Sequence, residues 1–410
     1  MCIRRGRPAT EAHKRGGGYP YRVKIAATIP LAVRRPSLLI KDLLVSRSRP
    51  DLAGLERIGD PDAFVWSILP HAARTFTACI TLLPAESASA MAVAYLYCRM
   101  LDTYEDLIPL PAERETALAE FGARFRVSNG AGPKPAPRIT SAAVRNPRDQ
   151  THVVLVNRCH LVDQVFATLH PLMRPHMADL VESMAAGMIW SSRTLLAQEG
   201  VLADADQLSR YCRTVIGLPF LFAVRLHLLQ RTGDATVSEE LREDCLRAGE
   251  MVQLANVTRD IEADLARGVS YHPALRADLG RADLDDPELR ERIRRVREEL
   301  LDQAMALAPS YERMLRALPF GAVSPARASG VLMLLFTDRY YRSCARRVGR
   351  EPWPGPESTF RLIALSSCHV VSARWSFRTT RRITEYLCRA GKGTLDHTVA
   401  RVPQFGHRST

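Results

Sequence analysis

Between Ser87 and Leu107 the apolar residues Ala90, Val93, Ala94, Tyr97, Cys98 and Leu101 recur at steps of three and four, the period of one helix face. Stretches rich in Ala, Leu, Met, Glu and Arg repeat that pattern at 160–198, 205–230, 238–266, 287–317 and 324–348. Alternating β-branched runs are scarce, and Val153–Val156 is too short to found a sheet. The pattern predicts an all-α chain. Its longest interruption, Ser128–Gln150, holds Gly130, Gly132, Pro133, Pro135, Pro137 and Pro147 and reads as a loop inserted between two helices. A second break lies at Arg267–Pro287. No repeat of 20–50 residues is present. The expected organisation is a leader at 1–55, one helical domain at 56–388 and a disordered tail at 389–410.

Charge changes this picture at one end. The chain has a formal net charge of +13, but residues 1–50 hold twelve Lys/Arg against Glu11 and Asp42. The excess therefore sits in a Gly/Pro-punctuated leader, which reads as disordered, and leaves the folded part near neutrality. A nucleic-acid reader would carry its basic stripe and aromatics inside a folded module, so no nucleic-acid partner is expected. Nine scattered cysteines without a C-x-x-C pair indicate reduced core thiols. No continuous apolar run approaches the roughly 18 residues of a spanning helix, so a cytoplasmic chain is expected, with peripheral membrane contact compatible with an apolar product. Gly16–Gly18 is followed by Tyr19-Pro20 and makes no phosphate loop.

Two polar stripes carry the chemistry. Asp102 and Asp106 stand four apart at the end of an apolar helix, with Arg99 one turn earlier on nearly the same face. Gln253, Asn256, Asp260, Asp264 and Arg267 line one face of another helix whose opposite face is Leu254, Val257, Ile261 and Leu265. Either stripe alone is an ordinary polar helix face. Two D-x-x-x-D spacings about 150 residues apart suit helices that oppose one another across a cavity. Mg²⁺ binds through one or two carboxylates plus substrate phosphates, so opposed pairs are suited to hold a diphosphate between metal ions.

At these segments the chain resembles the squalene/phytoene synthase family. Ala73-Arg74-Thr75-Phe76 is similar to the family's S-R-x-F, and Val93–Asp106 to its first aspartate motif. Met184–Met188 resembles M-x-x-G-M, Tyr211–Gly217 resembles Y-C-x-x-V-A-G, Gln253–Pro273 the second aspartate motif with G-x-x-Y-x-P, and Tyr341-Arg342 the late Y-R helix. The resemblance implies a single-domain isoprenoid synthase bundle around a central cavity. It also implies Mg²⁺-dependent (or Mn²⁺-dependent) head-to-head condensation of two farnesyl or geranylgeranyl diphosphates through a cyclopropylcarbinyl diphosphate to a squalene- or phytoene-type product. Asp102, Asp106, Asp260 and Asp264 would hold metal with Asn256 and Gln253 on the same face. Arg74, Arg99 and Arg259 would contact diphosphate, with Arg267 standing in for an arginine that the family usually carries where Val269 stands here, and Tyr211 would face the reacting carbons. Ala73, Ile216 and Ala263 also depart from the family pattern. NADPH use and chain length stay open. A class I terpene cyclase acting on one prenyl diphosphate and a non-catalytic assembly protein are the alternatives.

Overall fold

A computed structural model of the chain describes residues 50–126, 133–140, 144, 146–281 and 285–398; the expected basic leader lies almost wholly outside them. Among the described residues the architecture is entirely helical. The chain runs α1 (Leu52–Arg57), α2 (Pro61–Ala73), α3 (Thr75–Thr81), α4 (Ala85–Leu107), α5 (Pro111–Ala123), α6 (Pro147–Asn157), α7 (Cys159–Thr168) and α8 (Arg174–Ala197). It continues through α9 (Ala205–Cys212), a π-helical turn (Arg213–Gly217), α10 (Leu218–Thr232), α11 (Glu239–Ala266), α12 (Pro287–Ala306), α13 (Ala308–Ala317), α14 (Pro325–Arg347), α15 (Thr359–Val371) and α16 (Ala373–Thr398).

Local chemistry sets these boundaries. Asp60 accepts from the Ala63 amide at 2.7 Å ahead of Pro61, and Ser238 caps α11 by accepting from the Leu241 amide. The apolar period of α4 ends at Pro109, and Ile108 turns extended. Asn146 caps α6 at Pro147, so the expected loop ends before that proline and Val153–Val156 are buried helix residues. The stretch 287–317 forms two helices, because Pro309 sits in the first turn of a new one.

Two further expectations shift. The boundary drawn at residue 388 falls inside α16, whose buried Ile383, Thr384 and Leu387 lie under an arginine-rich outer face that hides its apolar period. Arg381 bonded to Glu385 adds an i,i+4 pair on that face. The segment Ala205–Thr232, interrupted by arginines in sequence, is long and apolar enough to cross a bilayer, yet half of its most apolar window is buried inside the fold. It is a core helix pair.

The core positions the site through two close approaches. A Cβ on Gly249 of α11 would meet Gly217 Cα at 2.4 Å, so α11 crosses backbone to backbone against the π turn. A Cβ on Gly187 of α8 would meet the Thr214 methyl at 2.2 Å. These contacts hold Tyr211, just before the π turn, level with Gln253 and Asn256, just after the glycine of α11.

Candidate active site

Helices α4 and α11 face one another across a cavity of about 670 Å³. All eleven site residues read from the sequence line it: Arg74, Arg99, Asp102, Asp106, Tyr211, Gln253, Asn256, Arg259, Asp260, Asp264 and Arg267. Its charged end holds the aspartates and arginines. Its other end is apolar, walled by Ile80, Met91, Phe220, Leu315, Leu318, Phe320 and Met333.

The opposition of the two stripes is direct. Arg267 Nη1 donates to Asp106 Oδ1 at 2.9 Å while its Nη2 donates to Asp264 Oδ1 at 2.5 Å. One guanidinium thus spans the last carboxylate of each pair. Val269 faces elsewhere, lining a small pocket behind α11 with Ile261, Val296 and Leu300. Arg259 forks onto its neighbour Asp260, with Nε donating at 2.7 Å, instead of pairing with Glu262 or Glu105; Glu262 is taken by Arg297. Arg99 is 3.0 Å from Asp102 and donates to the Tyr95 hydroxyl at 2.9 Å. Burial pushes Asp102 up to about 6, with Asp106 adding to the rise and Arg99 opposing it. Asp264 is also pushed up to about 6 by burial, against the pull of Arg267. Asn256 Nδ2 donates to Gln253 Oε1 at 2.9 Å, which fixes both amides on the cavity side.

The bend between α2 and α3 puts Arg74 at φ 50°, a strained conformation for a residue with a Cβ. Its side chain lines the cavity, where burial lowers its pKa and repulsion by Arg259 and Arg99 lowers it further.

Four residues at this end were not singled out in the sequence. Arg148 belonged to a presumed surface loop. The cap at Asn146 instead starts a helix that aims it into the cavity, where burial and repulsion by Arg74 and Arg99 lower it to about 10. Its Nε is buried without a partner, as is that of Arg99. His152, one turn on, is lowered to about 3 by burial and the same arginines. Glu105 accepts from Ser191 Oγ at 3.2 Å and is pushed up to about 8 by burial and by Asp106 and Asp102. Tyr271 donates to the Tyr211 hydroxyl at 3.1 Å, with the rings stacked at 4.8 Å. Tyr271 was visible as the tyrosine of G-x-x-Y-x-P, and Glu105 as the acid inside the first motif. Arg148 and His152 gave no sequence signal.

The donor set offers a hard cation carboxylate and amide oxygens on opposed helices, and the Cys98 thiol, which also lines the cavity, is kept protonated by burial. Among the described residues no three His, Cys, Asp or Glu side chains converge into a closed cage.

Comparison with known proteins agrees with this fold. The squalene/phytoene synthase family model matches residues 69–355. A squalene synthase of Candida albicans is 27% identical over 217 residues, covering 51% of this chain and 44% of that protein. The chain therefore spans less than half the length of that relative. A phytoene synthase of Rhodobacter capsulatus is 24% identical over 304 residues, covering 71% of this chain and 79% of its own length. The solved structure of TcSQS with the ligand BPH1237 is 16% identical and superposes with a TM-score of 0.57, covering 81% of this chain and 99% of that one, a likeness of fold. With most of the folded region inside the match, the chain belongs to the squalene/phytoene synthase family.

Proposed function

We propose that this protein joins two prenyl diphosphates head to head, using Mg²⁺ or Mn²⁺, to give a squalene- or phytoene-type hydrocarbon through a cyclopropylcarbinyl diphosphate. The observation that carries the reading is Arg267, which ties Asp106 to Asp264 at the charged end of an apolar cavity. Asp102, Asp106, Asp260 and Asp264, with Asn256 beside them, would hold the metal. Bound there, the metal would neutralise charge developing on a departing diphosphate.

The chain's own residues do the rest. Arg74, Arg99 and Arg148 offer guanidinium donors to diphosphate oxygens, and the unpartnered Nε atoms of Arg99 and Arg148 are donors waiting for an acceptor. An anion between them would relieve their mutual repulsion. The apolar end excludes water, so a carbocation formed beside Tyr211 would not be quenched at once. Tyr211 and Tyr271 are neutral phenols, their pKa values driven far up by burial. The contact between the two hydroxyls at 3.1 Å holds the Tyr211 oxygen where it would face the reacting chain.

Incubation with farnesyl or geranylgeranyl diphosphate and Mg²⁺, with and without NADPH, tests the reading by the carbon count of the product. A product holding two chains is expected. One holding a single, closed chain would mean a cyclase, and unchanged substrate would favour an assembly role.

A further inference from the structure

Phe360 is 71% exposed and Val371 69%, the highest values among the large apolar side chains of the described residues. Both lie on α15. They are eleven residues apart, and eleven steps of a helix return to the same side about 16 Å further on. Ala364, Ser367 and Cys368 share that side and are exposed, while Leu362, Ile363, Ser366 and His369 are buried beneath. Arg361 is the one Lys, Arg, Asp or Glu in the helix. The stripe from Phe360 to Val371 on the solvent side of α15 is thus uncharged, with apolar Phe360, Ala364 and Val371 flanking a Ser367 whose hydroxyl is turned onto the Ile363 carbonyl, contrary to the usual charged outer face.

The stripe widens at its far end. The Ser324 amide donates to the Val370 carbonyl at 2.8 Å, which sets Val323, 58% exposed, beside Val371. Past Ser372 the chain enters α16, where Trp375 is 38% exposed. Exposed arginines border this surface, Arg361 next to Phe360 and Arg374 and Arg378 about Trp375; residues 359–390 carry six arginines and one glutamate. The segment between α13 and α14 is two-sided. Leu318 and Phe320 line the apolar end of the cavity, and three residues later Val323 belongs to the outer patch.

We propose that the outer face of α15, extended by Val323 and Trp375, docks into the surface of an anionic lipid bilayer. An apolar helix side lying in the interface with a cationic border is the pattern that anionic lipid selects. Charge argues against the other occupants. The leader at residues 1–50 carries twelve Lys/Arg against two acids and is repelled by the same arginines, and a second copy would oppose like charge to like. Docking there places the apolar end of the cavity next to lipid, behind a segment that faces both. This use of the face, release of an apolar product into the bilayer, rests on the coupling reading; the docking itself does not.

The test uses the full chain with phosphatidylcholine vesicles containing or lacking phosphatidylglycerol, read by co-sedimentation and by quenching of tryptophan fluorescence with brominated acyl chains. The leader would draw any variant toward anionic vesicles, so every chain compared keeps it. Wild type should bind the anionic vesicles, with quenching that Trp375→Phe removes. Phe360→Ser/Val371→Ser should lose the quenching and bind on the order of tenfold more weakly, and Arg374→Glu/Arg378→Glu should weaken binding similarly. Retained thermal midpoints would show that the variants fold. The proposal is overturned by wild-type quenching indifferent to Trp375→Phe, by equal binding of all the variants, or by self-association that Phe360→Ser/Val371→Ser abolishes while vesicle binding stays unchanged. Coupling assayed in detergent separates the two readings: a chain that docks without coupling refutes the proposed reaction alone, and one that couples without docking refutes this proposal alone.

Discussion

Asp102 and Asp106 close their helix, whereas Asp260 and Asp264 are followed by the turn that carries Arg267, and the two pairs are balanced differently. Each has one carboxylate raised to about 6 by burial, Asp102 and Asp264, and one more open. The second pair has two arginines of its own helix end, Arg259 on Asp260 and Arg267 on Asp264. The first has Arg99 on Asp102 and borrows Arg267 for Asp106. It also encloses Glu105, where the second pair has Ala263. The same spacing therefore yields an acid-rich site on α4 and a nearly neutralised one on α11. This difference shows that D-x-x-x-D specifies where carboxylates stand and leaves their charge state to the neighbours.

The largest expected effect breaks both sides. Asp102→Asn and Asp260→Asn should each lower coupling by about a thousandfold or more, because the leaving diphosphate loses its charge partner. Asp102→Asn should do so without lowering the thermal midpoint in metal-free buffer. Burial disfavours its ionised form, so removing that charge relieves a cost at neutral pH. Single-turnover product formation and a melting curve on one preparation check both halves. Normal coupling by both variants would end the metal-site reading.

A smaller effect separates the bridge from the pairs. Arg267→Ala should raise KM for prenyl diphosphate about tenfold and lower kcat less, as expected for ground-state binding. Arg267→Lys should not restore it, because a single ammonium does not present the fork that reaches Asp106 and Asp264 together. Arg148→Ala should behave like Arg267→Ala, while Val269→Arg, at a side chain that faces the pocket behind α11, should leave the product unchanged. A kcat collapse in Arg148→Ala with KM intact would assign it to the chemical step instead.

Much of this was legible from sequence for a physical reason. Asp102, Asp106, Asp260 and Asp264 lie on helices whose apolar faces fix their phase, so spacing alone set the side each carboxylate takes. Arg74 was legible only through the family resemblance, because its orientation comes from a strained φ between two helices. Arg148 and His152 were hidden because the proline before them read as loop when it was the first helical residue after a cap. The outer face of α15 was missed because Phe360, Ala364 and Val371 form a short apolar period that looks like core until the packing shows which side is covered. Glu105 was in plain view, yet its raised pKa depends on burial that no spacing reports.

His152 gives the last and smallest way to sharpen the comparison, since it stands in the arginine cluster on the side of the first pair. Its native pKa lies near 3, below the unfolded value of about 6.5, because burial and Arg99, Arg148 and Arg74 resist a further positive charge. Between those values the unfolded chain binds a proton that the native chain does not, so this residue makes stability fall as pH falls. Asp102 and Asp264 act in the opposite sense. Raised from 3.8 to about 6, they bind protons in the native state first and make stability rise as pH falls through that window. His152→Gln should remove the first trend and keep the second, flattening the acid loss by at most about 1.4 kcal/mol per pH unit. Urea unfolding at pH 6.5, 5.5 and 4.5 for both proteins measures the difference. Identical slopes would mean that His152 is protonated in the native state, and the arginines around it would then have to be neutralised by carboxylates of the first pair.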